Sequence, residues 1–352
     1  MTLQDGRRKL FTARTRKEAK DKLAQFEEQK RAGFEWLDSK QTVAQFLTRW
    51  LNDDAKQSVR PSTFASYESN VRTRIVPALG QMALSSLTGQ HIEALLGVLR
   101  ERRPPLSPAS LVRTHAVLHR ALEKAVRWKL IPRNPADDVT RPRIPKAEMK
   151  TLAPTEVTVL IETARSSVMR ALYAVAATSG LRRGELLGLR WADLDVDQGY
   201  LSVTRTLQKP KGGGFEFLEP KTHRGRRRVR LASLALRELK SHRASQVEAR
   251  LLAGPLWRDH DLVFASSVGT PLEPAWVSRT FGADLYRAGL PRVRLHDLRH
   301  TAATTLLAQQ VHPKVVQEML GHANIAVTLD TYSHVTPDMQ EAAVAALDKV
   351  YG

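Results

Sequence analysis

His296-Asp297-Leu298-Arg299-His300, running on into Thr301-Ala302-Ala303-Thr304-Thr305-Leu306-Leu307, sets an imidazole and a guanidinium three residues apart. On a helix that spacing puts both on one face. Arginine keeps its proton in a protein and offers a fork of donors suited to phosphate. Histidine exchanges a proton near neutrality. A His-x-x-Arg pair alone is commonplace at surfaces and in cores, so its meaning rests on what accompanies it. The run also imitates the zinc motif His-Glu-x-x-His. Here Asp297 is a methylene short of the usual glutamate, no third ligand stands out, and Arg299 would repel a cation.

Downstream, Leu320-Gly321-His322-Ala323-Asn324 reads as a corner between helices, with Gly321 ending one and Asn324 capping the next. Tyr332 follows ten residues after His322, flanked by Thr331 and Ser333. Upstream, Gly180-Leu181-Arg182-Arg183-Gly184-Glu185-Leu186 places Arg182 and Glu185 three apart. The carboxylate can orient the guanidinium and leave its outer donors free; the plainer reading is a surface ion pair worth a few tenths of a kcal/mol. Between these boxes, Lys221-Thr222-His223-Arg224-Gly225-Arg226-Arg227-Arg228-Val229-Arg230-Leu231 holds six cations and no acid. Lys221 falls where a strand pattern turns, and the other five suit non-specific DNA contact as well as anything sharper.

Taken in this order, the boxes closely resemble the tyrosine recombinase (phage integrase) family. Its pattern is Gly-Leu-Arg-x-x-Glu-Leu, a hairpin Lys-Thr-x-x-Gly/Ser-x-Arg-x-Val/Ile, His-x-Leu-Arg-His, Leu-Gly-His, and a tyrosine about ten residues on. The match falls on Arg182, Lys221, His296, Arg299, His322 and Tyr332, with Glu185 at the acidic support position. It is strong over residues 150–340. Residues 41–142 resemble the family's helical, SAM-like core-binding domain more loosely. Arg230 departs from the pattern, standing where many members have proline. Members with an arm-site domain carry a three-stranded sheet before a helix; here only a last strand, residues 6–11, and a helix from Thr15 are expected.

The resemblance implies a mainly α fold with a small antiparallel β-sheet in an α+β catalytic domain. It implies cleavage and rejoining of DNA through a 3′-phosphotyrosyl link at Tyr332, with Arg182, Arg299 and His322 on the phosphate oxygens. His296 is the candidate proton acceptor and Lys221 the general acid for the leaving 5′-oxygen. The energy of the broken bond stays in the covalent link, so no cofactor, metal or nucleotide is expected. The expected partners are double-stranded DNA with paired attachment-type sites and a homo-tetramer on it, with accessory DNA-bending or directionality proteins as further candidates. Integration or excision of a mobile element is the expected role, and chromosome-dimer resolution the alternative. A type IB topoisomerase shares the chemistry, but the box spacing and a separate helical N-terminal domain favour the recombinase. A non-catalytic regulator on the same fold is disfavoured by six filled positions.

The composition agrees. The 352 residues carry 55 Lys+Arg against 36 Asp+Glu, a formal charge of +19, which suits a polyanionic partner. Apolar residues are 42%, enough for real cores, and there is no cysteine, which excludes disulfides and thiolate chemistry. No stretch has signal-peptide or membrane-span character, so a cytoplasmic, nucleoid-associated protein of a bacterial host, with no membrane partner, is expected. Residues 1–40 form a basic segment, either an appendage or a partial arm-binding remnant. Residues 41–142 are helical, with Val43, Phe46, Leu47 and Trp50, then Ile92, Leu95, Leu96 and Leu99, at helical spacing. Ser107-Pro108 starts a helix whose other positions include Arg113, Arg120, Lys124, Arg127 and Lys129, a basic face that is either solvated or turned to DNA. A proline-bearing linker at 143–153 leads to a catalytic domain at 154–340, opened by Pro154. In it residues 200–206, 215–218 and 228–231 read as strands, with a glycine turn at 212–214. The tail, 341–352, packs on its own domain or on a neighbouring subunit.

Overall fold

Capping chemistry starts the helices where it should. In the computed structural model, which describes residues 15–21, 24, 41–145, 149–210, 212–220, 225–321, 324, 344, 348–349 and 351, Ser107 Oγ accepts from the Ser110 backbone N–H and Pro108 takes the first helical position. Thr42 and Gln45 close a reciprocal capping box at the first helix of the N-terminal unit. The strand expected at 6–11 lies outside the described residues.

Two compact units divide the chain, Met1–Ala147 and Glu148–Gly352. The first holds α1 (Val43–Trp50), α2 (Pro61–Asn70), α3 (Val76–Leu79), α4 (Gly89–Glu101) and α5 (Pro108–Arg127). Phe46, Trp50, Ile75, Ile92, Leu118 and Leu122 fill its core, and the Trp50 ring stacks on Tyr67 at 5.7 Å. The spacing read from the sequence therefore marks the buried faces of α1 and α4.

The second unit runs α6 (Pro154–Thr163), α7 (Ser167–Ser179), α8 (Arg183–Gly188), β1 (Leu194–Asp195), β2 (Tyr200–Val203), β3 (Thr206–Gln208), β4 (Glu216–Leu218), β5 (Arg227–Arg230), α9 (Ser233–Ala253), α10 (Pro274–Arg287), α11 (Asp297–Ala308) and α12 (Pro313–Leu320). Residues 171–177 are all buried because α7 packs against α6, α9 and α11 together. A helix apolar all round belongs at the centre. The fold is mainly helical with small antiparallel sheets: β1-β2-β5 in one, β3-β4 in another.

The single strand read at 200–206 is in fact two. Tyr200–Val203 pairs with β5, while Thr206–Gln208 pairs with β4. The break has a cause in the intervening side chains. The Thr204 hydroxyl donates to Asp193 Oδ1 at 3.0 Å and Arg205 Nε donates to the Gly188 carbonyl at 2.7 Å. These bonds turn the chain out of the first ladder. β1 is two residues long, too short to leave an alternation signal.

Candidate active site

Arg182 is the cap residue of α8 rather than a residue within a helix. Its backbone N–H donates to Glu185 Oε2 at 2.9 Å, and its Nη1 donates to Glu185 Oε1 at 2.8 Å. The plain reading of this pair as a surface ion pair is wrong. Glu185 is only 5% exposed, because a second guanidinium covers it from the other side. Arg227 Nη2 donates to Oε2 at 2.9 Å and Nη1 approaches Oε1 at 3.3 Å. Burial alone would raise the Glu185 carboxyl. Hydrogen bonds and charge from Arg227, then Arg182, outweigh burial and hold it below the usual carboxylate range.

The two arginines also reach the same helix end. Arg227 Nε donates to the Met319 carbonyl at 2.7 Å, and Arg182 Nη2 donates to the Gly321 carbonyl at 3.3 Å. The α12 C-terminus, closed by Gly321 in the left-handed conformation, is thus fastened to Glu185 through both guanidiniums. Arg227 is one of the five cations that the sequence leaves to non-specific DNA contact; its side chain is 7% exposed and fully engaged within the protein. Two others in that run are also paired: Arg226 with Glu219, and Arg228 with Asp195, its guanidinium lying 4.0 Å from the Tyr200 ring centroid. The one sequence signal at Arg227 is its place in the hairpin motif.

Arg299 comes to this corner from α11. It is 3% exposed, and its Nη1 donates to the Gly180 carbonyl at 2.7 Å, two residues before Arg182. Gly180 ends α7 at φ +65, and a Cβ there would run into Leu320 Cδ2. Gly180→Ala is therefore expected to cost about 1–2 kcal/mol from the left-handed backbone alone, with more from the clash, and to slow strand cleavage by shifting the carbonyl that holds Arg299. Thermal melting and a cleavage time course check both.

His296 caps α11 with helical backbone dihedrals and its ring lies 5.5 Å from that of His300 one turn on; it is solvent-exposed while Arg299 is buried. Enough protein still packs round the ring for desolvation, followed by the charges of His300 and Arg299, to lower its pKa. That favours the neutral imidazole, the form able to accept a proton. Asp297, which stands where the zinc motif has glutamate, accepts from Arg294 with both oxygens, at 2.8 Å for Oδ1 and 2.7 Å for Oδ2. The structure thus brings Arg182, Glu185, Arg299 and the α12 end together, with His296 at the head of α11. Lys221, His322 and Tyr332 lie outside the described residues.

Residues 150–339 match the model of the phage integrase family. The chain belongs to that family. Residues 42–96 match the phage integrase N-terminal SAM-like domain. A tyrosine recombinase XerC-like protein of Caldanaerobacter subterraneus is 30% identical over 98% of this chain and 92% of its own. The ICEBs1 integrase of Bacillus subtilis is 29% identical over 69% and 66%. Among solved structures, the Tn1549 transposon integrase in complex with a circular intermediate DNA shares the fold at a TM-score of 0.73, with 22% identity over 87% of this chain and 99% of that one. A lambda integrase tetramer bound to a Holliday junction does so at 0.61, with 21% identity over 94% and 90%. Membership makes this phage integrase relative a site-specific recombinase of the tyrosine class. No helix among the described residues is long and apolar enough to cross a membrane.

Proposed function

We propose that the protein cleaves and rejoins duplex DNA through a 3′-phosphotyrosyl link at Tyr332. The observation that carries this reading is the shared corner where Arg182 and Arg299 meet, braced by the buried Glu185–Arg227 pair. In the reaction the Tyr332 hydroxyl attacks phosphorus and the 5′-oxygen leaves. A 5′-hydroxyl of a partner strand then reverses the step. Arg182 and Arg299 bind the non-bridging oxygens as negative charge builds on them, with His322 as a further donor. His296 takes the phenolic proton, and Lys221 protonates the leaving oxygen. Residues 41–142 serve as the DNA core-binding domain and 154–340 as the catalytic domain. The working unit is a homo-tetramer on paired attachment-type sites, integrating or excising a mobile element in a bacterial cytoplasm, with accessory proteins setting direction.

Mixed in excess chelator with duplex bearing its element's ends, the protein is expected to form an SDS-stable adduct. Lys221→Ala should lose most of that activity, on the order of 10²–10⁴ for a general acid, and regain it when sulfur replaces the bridging 5′-oxygen. No adduct from the unaltered protein overturns the recombinase chemistry. An adduct without sulfur rescue overturns only the role of Lys221.

A further inference from the structure

The basic face of α5 divides in two. Toward its C-terminal end the cations are matched within the protein: Lys124 Nζ lies 2.6 Å from Asp54 Oδ1 and Arg127 Nη2 lies 2.7 Å from Glu123 Oε1. Arg120 Nη1 donates to the Tyr67 hydroxyl at 3.3 Å. At the opposite end Arg113, next in the chain to the Thr114 that Arg74 bonds, and Arg102, whose Nε donates to the Pro104 carbonyl at 3.1 Å, both act by charge on Arg74. Among the described residues none of these three arginines has a carboxylate within 4.0 Å. Glu101, next to Arg102, is exposed and pairs with none of them.

Arg74 is the fixed member of the group. Its Nη1 donates to Asn70 Oδ1 at 2.6 Å and to Thr114 Oγ1 at 3.1 Å. Asn70 is held in turn, its Nδ2 donating to the Ser66 carbonyl at 2.7 Å. Both anchors are buried, Thr114 completely. The two Nη1 protons are thus taken by the protein. The Nε–Nη2 edge has no protein acceptor among the described residues, and this is the edge that grips a phosphate with two parallel bonds. Burial, then the charges of Arg102 and Arg113, lower the Arg74 pKa, so the cluster stands under repulsion that an anion would relieve.

We propose that Arg74, Arg102 and Arg113 form a phosphate clamp on the N-terminal unit that holds the backbone of duplex DNA, with Arg74 as its preset donor. The clamp rests on the recombinase reading and adds a DNA contact separate from the residues assigned to chemistry. A cation that neutralises one phosphate contributes about 0.9 to the slope of log K against log salt.

The test is fluorescence anisotropy of the full chain on a labelled duplex of mixed sequence, between 50 and 200 mM salt. Arg74→Gln is expected to reduce the slope by about 1, and Arg102→Gln with Arg113→Gln by about 2. Arg74→Lys, which keeps the charge but loses the fork, should keep most of the slope and bind more weakly. Arg127→Gln, at a cation already matched by Glu123, should change neither. If Arg74→Gln fails to fold, the exposed Arg102/Arg113 double variant still decides, because an unaltered slope for it overturns the clamp. Equal slopes for folded Arg74→Gln and the unaltered protein also overturn it. Failure of the unaltered protein to bind any duplex overturns the recombinase reading, and the clamp with it.

Discussion

Tyr332→Phe is expected to bind target DNA as the unaltered protein does and to form no covalent adduct. The substitution removes one oxygen, the atom assigned to attack phosphorus, and keeps the aromatic ring. Deleting the nucleophile of a covalent enzyme can cost on the order of 10⁶ in rate, which puts strand cleavage below detection. A phenol with an ordinary pKa of about 10 also needs help at neutral pH. That help is assigned to His296, held neutral, and to the guanidiniums that lower the cost of a phenolate. Band-shift affinity and a denaturing gel read the two properties separately. Because Thr331 and Ser333 flank the tyrosine, a surviving adduct would hand the attack to one of those hydroxyls and end the assignment.

Arg227→Ala is expected to be the most destabilising single change near the site. It leaves Glu185 buried with one of its two cations and frees the Met319 carbonyl at the α12 end. Removing one partner of a buried pair typically costs about 3–5 kcal/mol, a large part of the 5–15 kcal/mol by which proteins are stable. Chemical denaturation at several pH values checks this, and the sign follows from the carboxyl. In the unaltered protein the folded Glu185 pKa is depressed, so its stabilisation is full above the unfolded value of about 4.3 and is lost as pH falls through the folded value. The gap between protein and variant should therefore be widest near neutrality and narrow in acid. Stability unaffected at pH 7 would contradict the pairing. Arg227→Met with Glu185→Gln should recover much of the stability, since a pair replaced by neutral groups of similar size is often tolerated. It should not recover cleavage, because Arg182 would still lack the carboxylate that sets it. Loss of one oriented donor costs on the order of 10²–10³ in rate.

Much of the site is legible in the order of the residues. Arg182, Glu185 and Arg299 stand in short boxes whose sequence is distinctive; Arg182 bonds Glu185, and Arg299 bonds the Gly180 carbonyl two residues before Arg182. Spacing gave no sign that His296 would be exposed and Arg299 buried, because burial depends on what packs against the first turn of α11. Arg227 has a marked place in the hairpin motif, but nothing local shows that its partner is a carboxylate 42 residues away.

The sequence by itself determined the helix starts at Ser107-Pro108 and Pro154, the buried faces of α1 and α4, and the order of the boxes that marks the family. These depend on capping, periodicity and motif, which act over a few residues. Only the tertiary structure decided which of the described cations have a carboxylate partner, where the strand at 200–206 breaks, and that one carboxylate is shared by two arginines. Such outcomes depend on partners distant along the chain, and neither spacing nor composition records whether a charge will be met by its opposite.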